Sequence, residues 1–197
     1  MDRLAGLDTL VIQQRKEWSE ILVGWEAKNT YAVLDETGEE VYVAAETGGS
    51  MFFRLLLKAL RPFTIHILEA EGRSILRLDR PFRLYFHSLE VRDPDGRRLG
   101  RVDRRFSLLR RRYTVSDDTG QERFQLFGPL FKPWTFLIRA RDEEIGRITK
   151  KWSGMLKESL SDADNFSLSF PAELQLQHKS VLLGAVFLID FVHFEGR

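Results

Sequence analysis

The chain has 197 residues, 43% of them hydrophobic, with 30 basic and 29 acidic side chains and a net charge of +1, the balance of a globular domain rather than a disordered one. Near-neutral charge excludes the global positive field that marks a nucleic-acid binder. The absence of cysteine excludes disulfides, zinc-thiolate sites, a thiol nucleophile and S-palmitoylation together.

In chain order, residues 1–8 read as a flexible lead-in to one domain that occupies the whole of residues 1–197. They lack the basic-then-apolar pattern of a secretory signal, which predicts a cytoplasmic chain. Residues 10–13 alternate as a strand. Five hairpins follow, each a pair of alternating segments about a Gly- or Asp-bearing turn. Residues 31–33 and 41–43 flank Gly38, and 63–67 and 75–78 flank Gly72; 89–91 and 99–102 flank Pro94-Asp-Gly96. Residues 113–115 and 124–126 flank Asp118-Thr-Gly120, and 136–138 and 145–148 flank Asp142. With the alternating residues 166–170, the expected total is twelve strands.

So many antiparallel strands in one domain should close on themselves to remove their edges. A barrel of that size leaves a lumen too wide for strand side chains alone to fill. The apolar run at 181–194 suits it, within a helix expected over 178–194. The run is open to a second reading, a single-pass membrane anchor. At about 1.5 Å per residue it spans roughly 21 Å, against about 30 Å of hydrocarbon, and it carries Asp190 and His193, both costly near a bilayer centre. Those facts favour a core helix, with Asp190 near its C-terminal end and a hydrogen-bond or basic partner at a barrel mouth.

An up-and-down barrel sorts its loops into two rims. The turns near Gly38, Gly72, Gly96, Gly120 and Asp142 share a polar one. The other carries residues 51–60, 81–86, 104–112 and 127–134, the most apolar and most basic loops of the chain. Phe52, Phe53, Leu56 and Trp134 beside Arg104, Arg105, Arg110, Arg111 and Arg112 suit the interface of an anionic membrane, where each basic residue contributes about 1 kcal/mol. The alternative is that 51–60 folds as an amphipathic helix capping an open barrel end, with the arginines solvated.

Catalytic chemistry finds no support: His66, His87, His178 and His193 are dispersed, with no HExxH or nucleophile-elbow pattern and no phosphate-binding glycine loop. His66 reads as a strand histidine. Lys150 and Lys151 read as a strand end with solvated charge.

Several segments carry a family resemblance. Gly24-Trp-Glu-Ala-Lys-Asn-Thr-Tyr31, Val41-Tyr-Val-Ala-Ala-Glu46, Arg61-Pro-Phe63, Asp79-Arg-Pro-Phe82, Gly146-Arg-Ile-Thr-Lys-Lys-Trp-Ser-Gly154, Asp162-Ala-Asp-Asn-Phe166 and Phe187-Leu-Ile-Asp-Phe191 stand in the order found in phospholipid scramblases, a family that the chain resembles over nearly its whole length. The resemblance implies a tubby-like fold, a closed twelve-strand antiparallel barrel around a central apolar C-terminal helix. It also implies calcium-responsive, non-selective movement of phospholipids between leaflets, at the cytoplasmic face of a membrane. The alternative function is a tubby-like module that binds anionic lipid headgroups or a protein partner without transport. The proline-rich N-terminal region and the cysteine clusters of animal members have no counterpart here.

The resemblance assigns a metal role, Ca2+, to Asp162, Asp164, Phe166, Leu168, Phe170 and Glu173. Calcium takes about 6–8 oxygen ligands, and the alternation Phe166, Leu168, Phe170 reads as a strand instead. Asp162, Asp164 and Asn165 are open to two readings, a weak site completed by water or a turn started by side-chain to backbone bonding.

Overall fold

The computed structural model describes residues 1–15, 29–47, 62–82, 86–108, 110–151 and 165–194. A short helix, α1 (Asp2–Gly6), precedes twelve strands: β1 (Thr9–Arg15), β2 (Thr30–Leu34), β3 (Glu40–Thr47), β4 (Phe63–Leu68), β5 (Ser74–Arg80), β6 (Ser88–Arg92), β7 (Arg98–Arg105), β8 (Arg111–Asp117), β9 (Glu122–Gly128), β10 (Thr135–Ala140), β11 (Glu143–Lys151) and β12 (Asn165–Ser169). A long helix, α2 (Leu176–His193), follows. Each strand pairs antiparallel with the next, and β1 pairs with both β2 and β12, so the sheet closes as a twelve-strand barrel around α2. That is the expected architecture, tubby-like, with no open edge to blunt.

Four hairpin turns share one chemistry. In each, a carbonyl accepts the N–H of a glycine three residues on: Asp35 from Gly38, Glu69 from Gly72, Asp93 from Gly96 and Asp117 from Gly120, at 2.9–3.2 Å. Those glycines have φ between +76° and +87°, the left-handed region that L side chains avoid, and the pairing register shifts beside each turn. This is a type I turn closed by a bulge. Asp35, Asp93 and Asp117 each also accept backbone N–H groups on Oδ1, which is why aspartate starts three of the four. The β10–β11 turn differs: Arg141 and Asp142 both have positive φ, the two-residue arrangement that matches strand twist.

Alternation then fills the lumen. Val33, Ile65, Leu78, Leu89, Val102, Val115, Leu126, Ile138, Ile148 and Leu168 project inward and are at most 1% exposed. They meet α2, whose residues 179–189 are buried on every side. A helix apolar all round is stable only when surrounded, and here strands surround it. Each fully buried Val, Leu, Ile or Phe contributes about 1.5–3 kcal/mol before ordering entropy is set against it. The helix leans on β6, β7 and β8, and Gly184 makes that approach fit: a Cβ there would lie 2.7 Å from Val91 Cγ2 and 3.0 Å from Leu89 Cδ2. On the opposite flank Tyr31 meets Phe187 edge-on at 5.3 Å, and Phe63 stacks on Phe191 at 4.0 Å.

Two expectations about charged and terminal residues need correction. The first eight residues, expected to be a flexible lead-in, include α1, which closes the hairpin-turn mouth of the barrel. Leu4 is fully buried, and its N–H donates to the Tyr42 hydroxyl at 3.0 Å. The N-terminal amine pairs with Glu69 at 2.9 Å and Arg3 with Glu39 at 2.5 Å. A single turn of helix is too short to show periodicity, so nothing in the local pattern marked it. Lys150, expected to be solvated, is buried, because the period of two that sends Ile148 inward sends Lys150 inward as well. Its ammonium lies 4.4 Å from the centre of the Phe194 ring and 5.4 Å from that of Phe166.

Candidate functional site

The hairpin turns lie at one rim, and the connections between hairpins therefore lie at the other. Three connections at that second rim carry every exposed large hydrophobic side chain among the described residues. Phe82 and Phe86 stand on the β5–β6 connection, Phe106 and Leu108 on β7–β8, and Leu130 and Phe131 on β9–β10. Their exposures run from 47% at Phe82 to 97% at Phe131. Isolated exposed apolar residues are ordinary, whereas six collected at one end of a barrel are the grouping that interaction surfaces show.

The loops that present them are held from beneath. The Arg111 guanidinium donates to the carbonyls of Lys132 at 3.2 Å, Pro129 at 3.4 Å and Pro133, and lies 4.5 Å from the centre of the Phe136 ring. It straps the β9–β10 connection onto β8, and burial lowers its pKa. Trp134 is half-buried, tilted against Phe194 at 5.7 Å. It therefore anchors its loop to the end of α2, and Leu130 and Phe131 are the side chains that project. Arg104 is half-buried, and its N–H donates to the His87 carbonyl at 2.8 Å. Arg105 Nε donates to Thr114 Oγ1 at 2.7 Å, and Arg110 and Arg112 are exposed. Phe52, Phe53 and Leu56 lie outside the described residues, as does the capping helix expected over 51–60.

At the hairpin-turn rim, four arginines are matched: Arg73 with Glu69, Arg97 with Asp118, Arg123 with Asp117 and Arg147 with Glu144. Hydrogen bonds from Thr119, Arg123 and the Gln121 N–H hold the Asp117 carboxyl down at about 2. Among the described residues, Arg104, Arg105, Arg110, Arg111 and Arg112 make no ion pair. The apolar loops thus stand beside arginines that make no ion pair among the described residues.

Between loop and barrel lies a buried polar contact. Arg80, 2% exposed, donates through Nη2 to His87 Nδ1 at 2.8 Å, so His87 is neutral there. Burial first, and then the charges of Arg80 and Arg104, lower its pKa from 6.5 to about 4. Because the folded value lies below the unfolded one, the unfolded chain binds the extra proton between them, and stability falls as pH drops through that window. The unfolding free energy from urea titrations should decline between about pH 6.5 and 4 by about 1–2 kcal/mol through His87, and His87→Gln should reduce the decline, leaving the smaller share of His66 and His178, whose pKa values burial also lowers.

Of the residues named for calcium, Phe166, Leu168 and Phe170 are buried, at 3%, 0% and 4% exposure. Phe166 packs on Phe194, and Phe170 faces the Lys179 ammonium at 5.3 Å. Asn165 begins β12 at the loop rim, and Glu173 is exposed beyond its other end. Asp162 and Asp164 lie outside the described residues. Among the described residues, no group of three or more His, Asp or Glu side chains gathers as a metal site. The histidines stay apart: His66 meets Ser74 Oγ at 3.3 Å on the sheet, His178 meets Phe124 edge-on, and His193 bonds to the Tyr113 hydroxyl at 2.8 Å. Asp190 is half-buried in the last turn of α2, where its carbonyl accepts the Phe194 N–H at 2.8 Å. No helix among the described residues is long and apolar enough to cross a membrane.

Comparison with known proteins adds an independent line. A family model described as Scramblase matches residues 1–196. Phospholipid scramblase 1 of Mus musculus is 34% identical over 209 residues, covering 99% of this chain and 63% of that protein. Phospholipid scramblase 2 of Homo sapiens is 32% identical over 209 residues, covering 99% and 70%. The chain thus spans rather less than two thirds of the mouse protein's length. An X-ray structure of a protein from Arabidopsis thaliana shares the fold at a TM-score of 0.53 and 11% identity, covering 96% of this chain and 95% of that one.

Proposed function

The chain belongs to the scramblase family, and on that premise we propose that it docks on a phospholipid surface through its loop rim and moves phospholipids between leaflets. One observation carries the docking: among the described residues, six exposed apolar side chains stand on three loops at one rim, beside arginines that make no ion pair there. Aromatic and aliphatic side chains enter the acyl boundary while guanidinium groups meet headgroup phosphates, and the two contributions add. The partner is an anionic membrane, met peripherally at its cytoplasmic face by a single domain. No bond is made or broken in such a role.

The residues that the family resemblance assigns to calcium do not fit one ion: Phe166, Leu168 and Phe170 offer no side-chain oxygen and stand inside the barrel. Calcium dependence is therefore a matter for the test rather than for these side chains. A second reading, docking without transport, is favoured by the enclosure of α2 on every side, which leaves the helix no lipid-facing surface. Reconstitution in liposomes carrying a labelled phospholipid decides between them, with calcium varied. Leaflet exchange above protein-free vesicles supports transport; binding with no exchange at any calcium concentration leaves the docking module.

A further inference from the structure

On the outer wall of the barrel, Arg105, Arg110 and Arg112 near the loop rim are approached by Arg139 from the hairpin-turn end of β10, where Arg139 stands across from Glu144 without an ion pair to it. Arg105 on β7 stands directly across from Arg112 on β8, and Arg112 directly across from Phe127 on β9. The guanidinium carbons of Arg139, Arg110 and Arg112 lie 4.8, 5.2 and 5.9 Å from the centre of the Phe127 ring. Like charges directly opposite one another in a sheet are destabilising, and an aromatic face attracts cations without neutralising them. Arginines also face one another elsewhere on the outer wall, Arg77 across from Arg92 and Arg92 across from Arg98, but there acids are interleaved: Arg77 has Asp79, Arg92 has Glu90 and Arg101 has Asp103. None of the four arginines has an ion pair among the described residues. An arginine group without the acids that accompany facing arginines elsewhere leaves its repulsion for a ligand to compensate.

We infer that Arg110, Arg112 and Arg139 about Phe127, with Arg105 across from Arg112, form a subsite for a phosphate anion, either the phosphate of a lipid headgroup or free phosphate. Several guanidinium forks present paired N–H donors that match phosphate oxygens and remove the mutual repulsion. Thr114 fixes one of them, through Arg105 Nε, and the Phe127 ring holds the others near it. For the lipid source the inference rests on the docking proposed above. The subsite itself does not, because phosphate in solution tests it without a membrane.

The experiment compares the full chain with an Arg112→Gln/Arg139→Gln double variant and with Arg97→Gln, a charge control at the other rim. In the solution arm, thermal unfolding is followed in inorganic phosphate and in sodium chloride of equal ionic strength. In the vesicle arm, flotation is measured on phosphatidylcholine alone and with added phosphatidylserine or phosphatidic acid. The double variant should lose about thirtyfold in affinity for anionic vesicles, two arginine contributions converted to a ratio. It should also lose any phosphate-specific rise in Tm, while Arg97→Gln behaves as the parent. A response in the vesicle arm alone assigns the site to lipid phosphate, and one in the solution arm alone to free phosphate. Losses below about threefold in the vesicle arm, with no phosphate-specific rise in the parent, would overturn the subsite, even where the parent floats through its apolar loops. If the parent floats on no vesicle, the docking reading fails and the solution arm still decides the subsite.

Discussion

Lys179→Met is expected to lower the unfolding free energy by about 3–5 kcal/mol, the cost of leaving several buried carbonyls without a donor. Lys179 is fully buried, and its ammonium donates to the carbonyls of Leu7 at 2.6 Å and of Ala5 and Ala172 at 2.7 Å, with Leu4 at 3.5 Å. It thereby ties the first turn of α2 to α1 and to the segment after β12, closing one mouth of the barrel. Burial lowers its pKa, and the charges of Asp8 and Glu173 act the other way. Methionine fills a similar volume and supplies no donor, so the carbonyls gathered there lose their partner while the apolar stem is kept. Urea unfolding measures the loss. Amide exchange should show Leu4 and Leu7 opening ahead of the strands. A loss below about 1 kcal/mol would mean that water replaces the ammonium and that α1 is not held by it.

The second large effect is on binding rather than stability. Phe106→Ala/Phe131→Ala should reduce partition onto vesicles containing phosphatidylserine by about a hundredfold or more, since burying each ring contributes about 1.5–3 kcal/mol. The same change should leave the unfolding midpoint within about 0.5 kcal/mol, because the rings are 79% and 97% exposed and support nothing beneath them. Salt separates this contribution from that of the arginines: screening weakens guanidinium–headgroup attraction and leaves apolar insertion unchanged. Unchanged partition of the double variant at high salt would remove the apolar loops from the interface.

Strand number, hairpin pairing and the enclosed helix were legible because each rests on a repeated local signal. Val33, Ile65, Leu89, Val115 and Ile138 recur on inward faces, and glycines at positive φ punctuate four of the turns. Closure followed from edge avoidance, and a lumen of that size needed the one apolar run available. The loop rim was legible as a set of segments, through the sorting of turns from connections. Which side chains project from it was not, because loops lack a period. Trp134 turns back onto Phe194, whereas Phe131 beside it is almost wholly solvated. The signal that could have picked it out is Gly128-Pro-Leu-Phe-Lys-Pro133, an apolar pair between two prolines that can join neither strand nor helix.

Charged residues at the barrel mouths were the least legible. Lys179 precedes the apolar run and resembles a solvated residue in the first turn of a helix, yet it is needed inside because α1 turns its carbonyls toward it. Its partners Leu4, Ala5 and Leu7 are more than 170 residues away, beyond any local pattern. Arg80 and His87 are only seven residues apart, but their contact depends on a connection that folds back at the loop rim. Arg105 opposite Arg112 needed the register of β7 on β8, which hairpin counting leaves undetermined by a residue or two.

If the loop rim docks on the membrane while α2 stays within the barrel, probes at the two rims respond differently to vesicles. A chain without cysteine allows a single introduced thiol to carry an environment-sensitive fluorophore, at Leu130→Cys on the loop rim or at Asp95→Cys on the hairpin-turn rim. With vesicles containing phosphatidylserine, the probe at position 130 should shift to the blue and be quenched by quenchers placed in the lipid phase, and the probe at position 95 should do neither. An unchanged probe at position 130 on bound protein, or equal quenching at both positions, would rule out docking by the loop rim.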